Sequence, residues 1–583
     1  MSCSPALAVE VQFESGGLTD DIAEDVRQVS VLAGLGAANS QNAQDILAGS
    51  RADYERILAV LYENGFFGAS VRILMDGREA TTIPLIAPPA LIETVIVRID
   101  PGQPFRFGVA DLRPRPAALE LPESFRRGEI ARISAIRDAL DTAISAWRDE
   151  GHAKAALAGQ NITADHPRGV LDAKVTVDPG PQLRFGRLQV EGGTSVREAR
   201  IRDIAGFPTG QVFSPEKVEK IATRFRRTGT FSSVALSEAE KANPDGTLDI
   251  AVQLVENPPR RIGFGGEISS LDGLNINGYW LHRNLWGGAE RLRLEGEARG
   301  IQGESGGEDY TLSAHFERPA TFNRDTNLYV QAEAEKLNEV NFSSEKFSIG
   351  AGIRRYASDA RTYTLGLGVE SAKSSDVFGD RSYTLLVGFA GAVFDYRDDR
   401  LDAKDGYYLD ASVTPFFALA GEGDGVLTEL DARFYKNFGR QSDMTFALRG
   451  QLGSVAGAPI DEVPADYLFY SGGGGTVRGQ PYQSLSVDLG GGAFVGGRSF
   501  LGLSAELRVA ATERIGVVGF YDAGYVGPEA FPDGASGRWH SGAGIGVRYG
   551  TGIGPIRFDL AVPLSGPEDN AVFQVYIGIG QAF

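Results

Sequence analysis

The sequence predicts three small α/β modules in tandem, followed by an antiparallel transmembrane β-barrel of about 16 strands. Three observations carry that expectation. A glycine-marked segment recurs through the first 260 residues, at a spacing of 78 residues between Asp100 and Asp178. The next 322 residues alternate apolar and polar side chains with almost no helical pattern. The chain then ends on Phe583, in register with an apolar stripe.

Composition narrows the field before any motif is considered. A chain of 583 residues holds about three or four domains. Its 75 glycines are about double the average share, lack a collagen period and are interleaved with strand formers, which favours β-structure over disorder. A net charge of −19 argues against broad attraction to nucleic acid or anionic lipid. The longest apolar runs fall far short of the ~20 residues of a spanning helix, so a membrane crossing would be made by strands. Cys3 is the sole cysteine, which rules out a disulfide framework. Ala6-Leu7-Ala8, just before the strand-like "VEVQF", resembles the end of a secretory signal peptide whose basic start and apolar middle are missing. Residues 1–8 are taken as that remnant, with the mature chain beginning near Val9.

The modules come first in the chain. "RIDPGQPFRFG" (98–108) returns as "TVDPGPQLRFG" (176–186), and a worn copy, "LVENPPRRIG", ends at Gly263, 77 residues after Gly186. Upstream of each copy a helical pattern stops at a glycine: Gly65, Gly151 and Gly229, suited to the left-handed cap that ends many helices. In the third copy Ser214 and Pro215 form a good helix start, and Val218, Ile221, Ala222 and Phe225 share one face. Ile136, Leu140, Ile144 and Trp147 do so in the second copy, and Tyr54, Ile57, Leu58, Leu61 and Tyr62, following Asp53, in the first. Strand-like runs, such as "ASVRILM" and "ETVIVRI", follow each cap. The expected boundaries are 9–107, 108–186 and 187–261, with the barrel from 262 to 583.

The barrel is expected from its period of two. "RLRLEGEA" separates Arg291, Arg293, Glu295 and Glu297 from Leu292, Leu294, Gly296 and Ala298. "FLGLSAELRV" separates Ser504, Glu506 and Arg508 from Leu501, Leu503, Ala505, Leu507 and Val509. An apolar face toward lipid and a charged face toward a wet lumen explain both. The last strand, Val572 to Phe583, places Phe573, Val575, Ile577, Ile579 and Phe583 on one face, with Gly578 and Gly580 on the other. The first, "RRIGFGGEIS", carries Gly263, Gly265 and Gly266. Glycine weakens strand pairing, so the meeting of these two strands, ending at Phe583, is the expected weak seam.

One stretch tests other chemistries. "YSGGGGTVRGQPYQSL" (470–485) has Gly474 and Gly479 at phosphate-loop spacing, but Gln480 and Pro481 follow where Lys and Ser or Thr are needed. Nucleotide binding is therefore excluded. The five histidines (152, 166, 282, 315 and 540) show no metal-ligand spacing, and no strained Gly-x-Ser-x-Gly elbow is present. No catalytic residue, metal or cofactor is expected, and the chain is taken as a non-enzyme.

Tandem modules, a glycine-rich barrel and the loop Val477-Arg478-Gly479 together resemble the BamA/TamA superfamily of outer-membrane assembly and secretion proteins; the modules resemble its POTRA domains. The family's Val-Arg-Gly loop is followed by an aromatic; here Gln480 stands in that place, with Tyr482 two positions later. The family's Phe-x-Asp-x-Gly pattern is matched by Phe520, Asp522 and Gly524, and its other acidic wall position by Glu506. "GIGPIRFDLAVPL", with Gly554, Pro555, Arg557 and Asp559, and "HRNLWGG", with Asn284, Leu285 and Gly287, also fit. The resemblance implies that the loop folds into the lumen. A guanidinium fork can engage two carboxylates, so Arg478 is expected to latch onto Asp522 and Glu506. Three modules point toward a TamA-like factor that helps autotransporters and other β-barrels insert, with a TamB-like inner-membrane-anchored partner, unfolded clients and outer-membrane lipid. Alternatives are a two-partner-secretion export pore, a general BamA-type insertase or a lipid-transfer subunit. The implied location is the Gram-negative outer membrane, with the modules in the periplasm.

Overall fold

The computed structural model describes residues 9–37, 42–86, 88–269, 273–302, 307–439, 443–512, 514–552, 554–566 and 573–583. The expected signal remnant, Cys3 and Val572 lie outside them. Two compact units result: one holds the first two modules and part of the third, the other the rest of the third and the barrel sheet.

In the first module the helix spans Ala43–Glu63, buries Ile46, Leu47, Ile57 and Leu61, and is capped by Asn42, whose side chain accepts from the Gln44 amide at 3.0 Å. Asp53 sits mid-helix and fully buried. Its carboxylate instead accepts from the Val31 and Leu32 amides, at 2.8 and 3.1 Å, and from the Ser30 hydroxyl. The two amides are orphan donors at the start of another helix, Val31–Ala37. Strands Ser70–Met75 and Thr94–Asp100 pair antiparallel, and Glu10–Glu14 adds in parallel to the latter.

The second module orders its sheet as 106–113, 170–178, 156–165 around the helix Ile133–Asp149. The third has helices Glu198–Ala205 and Pro215–Arg227, the latter burying Ile221, Ala222 and Phe225. The recurring segment bridges two sheets. Its Asp-Pro-Gly part closes one sheet, and its Arg-Phe-Gly part opens the next, with strands starting at Arg106 and Arg184. Each copy uses its residues alike. Phe107 and Phe185 are buried, while Arg106 and Arg184 donate to the turn carbonyls of Gly128 and Gly210, at 2.7 and 2.9 Å. Gly108 and Gly186 leave room for Asp172 and Asp249 on the neighbouring strand. The cap glycines have φ of +88°, +98° and +67° at 65, 151 and 229, a region costly for other residues.

Among the described residues the barrel sheet has 16 strands, each paired with the next strand of that sheet. They are β1 (Arg260–Ser269), β2 (Gly273–Arg283), β3 (Arg291–Ile301), β4 (Asp309–Arg318), β5 (Thr326–Asn338), β6 (Ser343–Ser358), β7 (Arg361–Asp376) and β8 (Gly379–Asp395). There follow β9 (Gly406–Ala420), β10 (Gly425–Phe438), β11 (Met444–Ala456), β12 (Ser499–Ala510), β13 (Ile515–Gly527), β14 (Arg538–Tyr549), β15 (Ile556–Ser565) and β16 (Gln574–Ile579). All the ladders are antiparallel, and the sheet order begins at β1 and ends at β16. The alternation read from sequence is present: Leu503, Leu507, Val547 and Phe558 are exposed on the outer face, whereas Glu506, Arg508, Arg548 and Asp559 are buried inside.

Candidate functional site

Strands β11 and β12 pair directly, so the long connection 457–498 leaves and re-enters the sheet at one point. Backbone bonds between Ser471 and Leu485, at 3.1 and 2.9 Å, and from the Gly473 amide to the Gln480 carbonyl, at 3.0 Å, fold its middle into a tight hairpin. The glycine run serves that turn: Gly472 and Gly473 have φ of +118° and +86°.

Arg478 follows the turn and is 3% exposed. Its Nε and Nη2 fork onto Asp522 at 2.7 and 3.0 Å, and Nη1 reaches Glu506 at 2.8 Å and Asp559 at 3.3 Å. The guanidinium lies over the Phe520 ring, 3.6 Å from its centroid. The residues of the Phe-x-Asp-x-Gly pattern thus have separate tasks: Phe520 stacks, Asp522 forks and Gly524 seats Val477, whose methyl would lie 2.9 Å from a Cβ there. Gly479 is equally constrained. Its φ is +91°, and a Cβ would come within 2.7 Å of the Val562 backbone on β15.

The sequence links Arg478 with Asp522 and Glu506 but does not announce the rest of the cluster. Asp559 stands out there only as part of a resembling segment. Arg508, two residues from Glu506 on the same face, bonds Glu506 at 2.8 Å, and Arg548 is ion-paired with Asp559. Three guanidiniums therefore face three carboxylates, and the buried charges balance. Gln480, standing where an aromatic is usual in similar proteins, donates to the Ser541 and Ser565 carbonyls at 2.7 and 2.9 Å. A bulge between Ser541 and Gly542 disturbs the β14–β15 ladder there, and the amide satisfies the two carbonyls. His540, buried, is hydrogen-bonded to Ser471 at 2.8 Å. A second anchor holds the loop to the far wall: Lys346 meets Asp466 at 2.8 Å and Glu335 at 3.0 Å. Tyr482 reaches Glu339 at 3.2 Å.

Residues 284–583 match the Omp85 superfamily domain, and residues 183–257 match POTRA, the surface antigen variable number repeat. The chain belongs to the Omp85 superfamily. Among solved structures, the fold resembles that of BamA from Haemophilus ducreyi lacking POTRA domains 1–3, at 18% identity and a TM-score of 0.62, covering 81% of this chain and 100% of that one. It also resembles CdiB from Acinetobacter baumannii, at 12% identity and a TM-score of 0.52, covering 82% and 91%. Omp85 proteins are assembly and transport factors that work with outer-membrane protein clients. This one is an outer-membrane protein with periplasmic POTRA modules.

The end of this Omp85 chain departs from the expected lipid-facing stripe. Phe573 and Ile577 are exposed on the outer face, but Phe583 is buried, packed with Ala403, Tyr435 and Ala447. Gly580, at φ +93°, ends β16 and turns the tail inward, and its amide donates to the Pro555 carbonyl at 2.7 Å. Arg508 donates to the Phe583 carbonyl at 3.2 Å, and Arg548 to Gln581 at 2.9 Å. The tail thus shares two arginines with the latch cluster. On β1, Gly263 and Gly265 lie under Tyr279 and Asn277 of β2, which occupy the space a Cβ would need. Gly266 pairs with Ile276, and Gly578 with Arg557 of β15. The "HRNLWGG" turn meets the third module: Asn284 donates to the Ser195 hydroxyl at 2.8 Å, and the Gly287 carbonyl accepts from the Arg197 amide at 2.8 Å.

Proposed function

We propose that this Omp85 protein is a TamA-like assembly factor, in which a client β-strand pairs at a lateral seam between β1 and β16. The observation that carries this reading is the state of the sheet's two ends. The strand order terminates there, and β16 is cut to Gln574–Ile579 by the inward turn. Unpaired backbone N–H and C=O groups facing lipid are costly, so an incoming strand that satisfies β1 is favoured. In this mechanism the Arg478 latch holds the loop against β12 to β15 while the seam opens. It does so through Val477, Arg478, Gly479, Glu506, Phe520, Asp522 and Gly524, with no covalent chemistry. Gly263, Gly265, Gly266 and Gly578 line the seam and Gly580 ends it, whereas Phe583, expected at the seam from sequence, packs instead against Ala403, Tyr435 and Ala447. In the second module the edge strand Ala156–Asp165 exposes Leu157 and Ile162, a surface suited to holding an extended segment by strand addition. A TamB-like, inner-membrane-anchored, periplasm-spanning protein is the proposed partner of the modules.

Photo-crosslinking in living cells tests both parts. Photoreactive residues replacing Ile262 and Phe264 on β1 are expected to trap unfolded β-barrel clients, and one replacing Gln12 in the first module a large inner-membrane-anchored protein. Recovery of one abundant secreted protein would favour an export pore, lipoproteins a general insertase, and lipid alone a lipid-transfer subunit; each would displace the proposal.

A further inference from the structure

On β4, β6 and β7 the outward apolar face ends in guanidiniums. Arg318 closes β4 on the face of Leu312 and Phe316, and Arg355 lies on the β6 face of Ile349 and Ile353. Arg361 opens β7 on the face of Tyr363 and Leu365. All three arginines are exposed. Arg355 stands opposite Tyr363, two residues from Arg361, a diagonal that long side chains span. Arg318 is opposite Leu328, itself opposite Ile353, two residues before Arg355. At this end of the sheet the third module contacts the turns, through Arg224 to Asp325 and Arg227 to Asp359. The modules are periplasmic, so the arginines mark the periplasmic rim.

The carboxylates nearest these arginines are engaged by other cations. Arg224 forks onto Asp325 at 2.7 and 3.1 Å. Arg227 meets Asp359 at 3.2 Å and lies over the Tyr356 ring, 4.2 Å from its centroid. Glu317 is buried on the inner face, where Arg354 and Arg291 approach it at 3.8 and 4.0 Å. Arg324, in the turn with Asp325, adds a cation whose guanidinium donates to the Gly206 carbonyl at 2.7 Å. Among the described residues none of the three outward arginines is ion-paired, and Arg361 donates to the Ser358 hydroxyl at 3.3 Å. Lys436, the outward cation of β10 at the same end, is by contrast paired with Asp405 at 2.9 Å. A positive excess therefore stands where the apolar face of β4 to β7 meets water.

We propose that this part of the rim binds one anionic diacyl phospholipid of the periplasmic leaflet. Its phosphodiester sits between Arg355 and Arg361, with Arg318 at its flank, and its acyl chains run along Ile353 and Leu365. The site dictates that chemistry. Each arginine ends an apolar row, so the ligand is anionic at one end and hydrocarbon at the other. Guanidinium forks match phosphate oxygens. An acidic peptide would meet the charges but not the apolar rows, which lie in the bilayer. A single outward arginine at the edge of the belt would merely reach into water; three on neighbouring strands, with the acids drawn away, concentrate charge on one headgroup. The net charge of −19 on the whole chain does not oppose this, because charges farther than a Debye length of ~10 Å are screened. The third module sets the charge of the site. Asp359 lies in the turn joining the strands of Arg355 and Arg361, and once released by Arg227 it competes with the phosphate for them.

The test is native mass spectrometry of the full chain in detergent, with phosphatidylglycerol, phosphatidylethanolamine and inorganic phosphate as probes. One phosphatidylglycerol should be retained at least about tenfold more tightly than phosphatidylethanolamine, given that each basic residue near an anionic headgroup contributes about fivefold. By the same measure Arg355→Gln with Arg361→Gln should weaken it by roughly 20- to 30-fold, whereas Lys436→Gln should change nothing. Arg227→Gln should weaken it by about fivefold, and adding Asp359→Asn should restore it. Heat-modifiable gel mobility confirms that each variant is folded; if the paired arginine variant is not, Arg355→Gln alone, with a fivefold loss, decides. Equal retention of the two phospholipids would mean annular lipid only, and would overturn the site. So would equal retention of phosphatidylglycerol by the wild type and the folded arginine variants, a loss as large in Lys436→Gln, or displacement by inorganic phosphate at equal concentration. No recovery on adding Asp359→Asn would overturn the part assigned to the third module.

Discussion

The wall from β12 to β15 and the two ends of the sheet solve opposite problems. On the wall, Arg478, Arg508 and Arg548 are buried against Glu506, Asp522 and Asp559, and loop and strands are tied by charges that cannot leave singly. β1 carries Gly263, Gly265 and Gly266 and β16 carries Gly578, and the last strand stops early. Buried ionic networks make a region all-or-none, because removing one partner strands the others in a low-dielectric interior. A glycine-rich edge has no such penalty and can be remade around another strand. The tail adds a link between the two regions, since Arg508 and Arg548 each serve a latch carboxylate and a tail residue.

The sharpest way to break the comparison is at its centre. Arg478→Ala leaves three carboxylates facing one another with one guanidinium fewer, and breaking a buried ion pair in this way costs about 3–5 kcal/mol. The folded barrel should lose heat-resistant gel mobility and its function in complementation. Arg478→Lys should not restore either, because a point charge cannot fork onto Asp522. Exchanging Arg478→Asp with Asp522→Arg should rescue the single variants only in part, since the carboxylate introduced at position 478 would still face Glu506 and Asp559. By contrast, Gly266→Ala on β1, where a Cβ would meet nothing closer than 3.5 Å, should leave heat-resistant gel mobility nearly unchanged if the edge is as independent as the comparison holds.

A second experiment asks whether the link through the tail is real. Arg508→Ala removes a partner of both Glu506 and the Phe583 carbonyl, whereas Phe583→Ala removes the ring packed on Ala403, Tyr435 and Ala447 and leaves the Glu506 pairing in place. In a double-mutant cycle between Arg478 and Phe583, coupling of about 0.5–3 kcal/mol is expected in the wild-type background and a smaller coupling when Arg508 is already alanine, the remainder passing through Asp559, Arg548 and Gln581. Additivity in both backgrounds would separate latch from tail.

How much of the fold and of the latch is legible in the sequence follows the range of the interactions. The strand alternation at Glu506 and Arg508, and the cap glycines at 65, 151 and 229, are local patterns, and local sterics decide them. Arg478, Glu506 and Asp522 are reached through motif resemblance. The Lys346–Asp466 anchor is not, because it joins residues 120 apart whose meeting depends on the path of the loop across the lumen. Asp53 shows another limit: the sequence places it only as the residue before an apolar helical face, whereas it lies mid-helix and its carboxylate serves the helix at Val31. The inward tail is hidden because alternation continues through Phe583 in sequence, while a single left-handed glycine at 580 redirects it.

That glycine supplies the third prediction. Gly580→Val places a β-branched residue at φ +93°, a region costing roughly 1–2 kcal/mol for residues with a Cβ. The tail should leave the lumen, and carboxypeptidase should then remove Phe583 from the folded variant but not from the folded wild type, where Phe583 is buried. If digestion is unchanged, the polar contacts of Gln581 and Phe583 outweigh the backbone strain.

The smallest expected effect lies at the loop's outer contact and is a matter of pH. Glu339, in the turn after β5, accepts from the Tyr482 hydroxyl. Burial, then the nearby Asp309 charge, push its pKa up from 4.5 to about 7, against the opposing pull of the Tyr482 bond and Arg299. A carboxyl with a raised folded-state pKa holds its proton better folded than unfolded. It therefore costs nothing below about 4.5 and progressively more as pH climbs toward 7, where the folded form also ionises. The apparent melting temperature of the wild type should fall across that window and level off above it. The change should be about a degree or two, because one partly exposed group acts on a large sheet. Glu339→Gln keeps an acceptor for Tyr482 but cannot titrate, so its melting curve should be flat by comparison. If the variant shows the same slope, the pH dependence arises elsewhere, and this end of the loop is held independently of Glu339's charge.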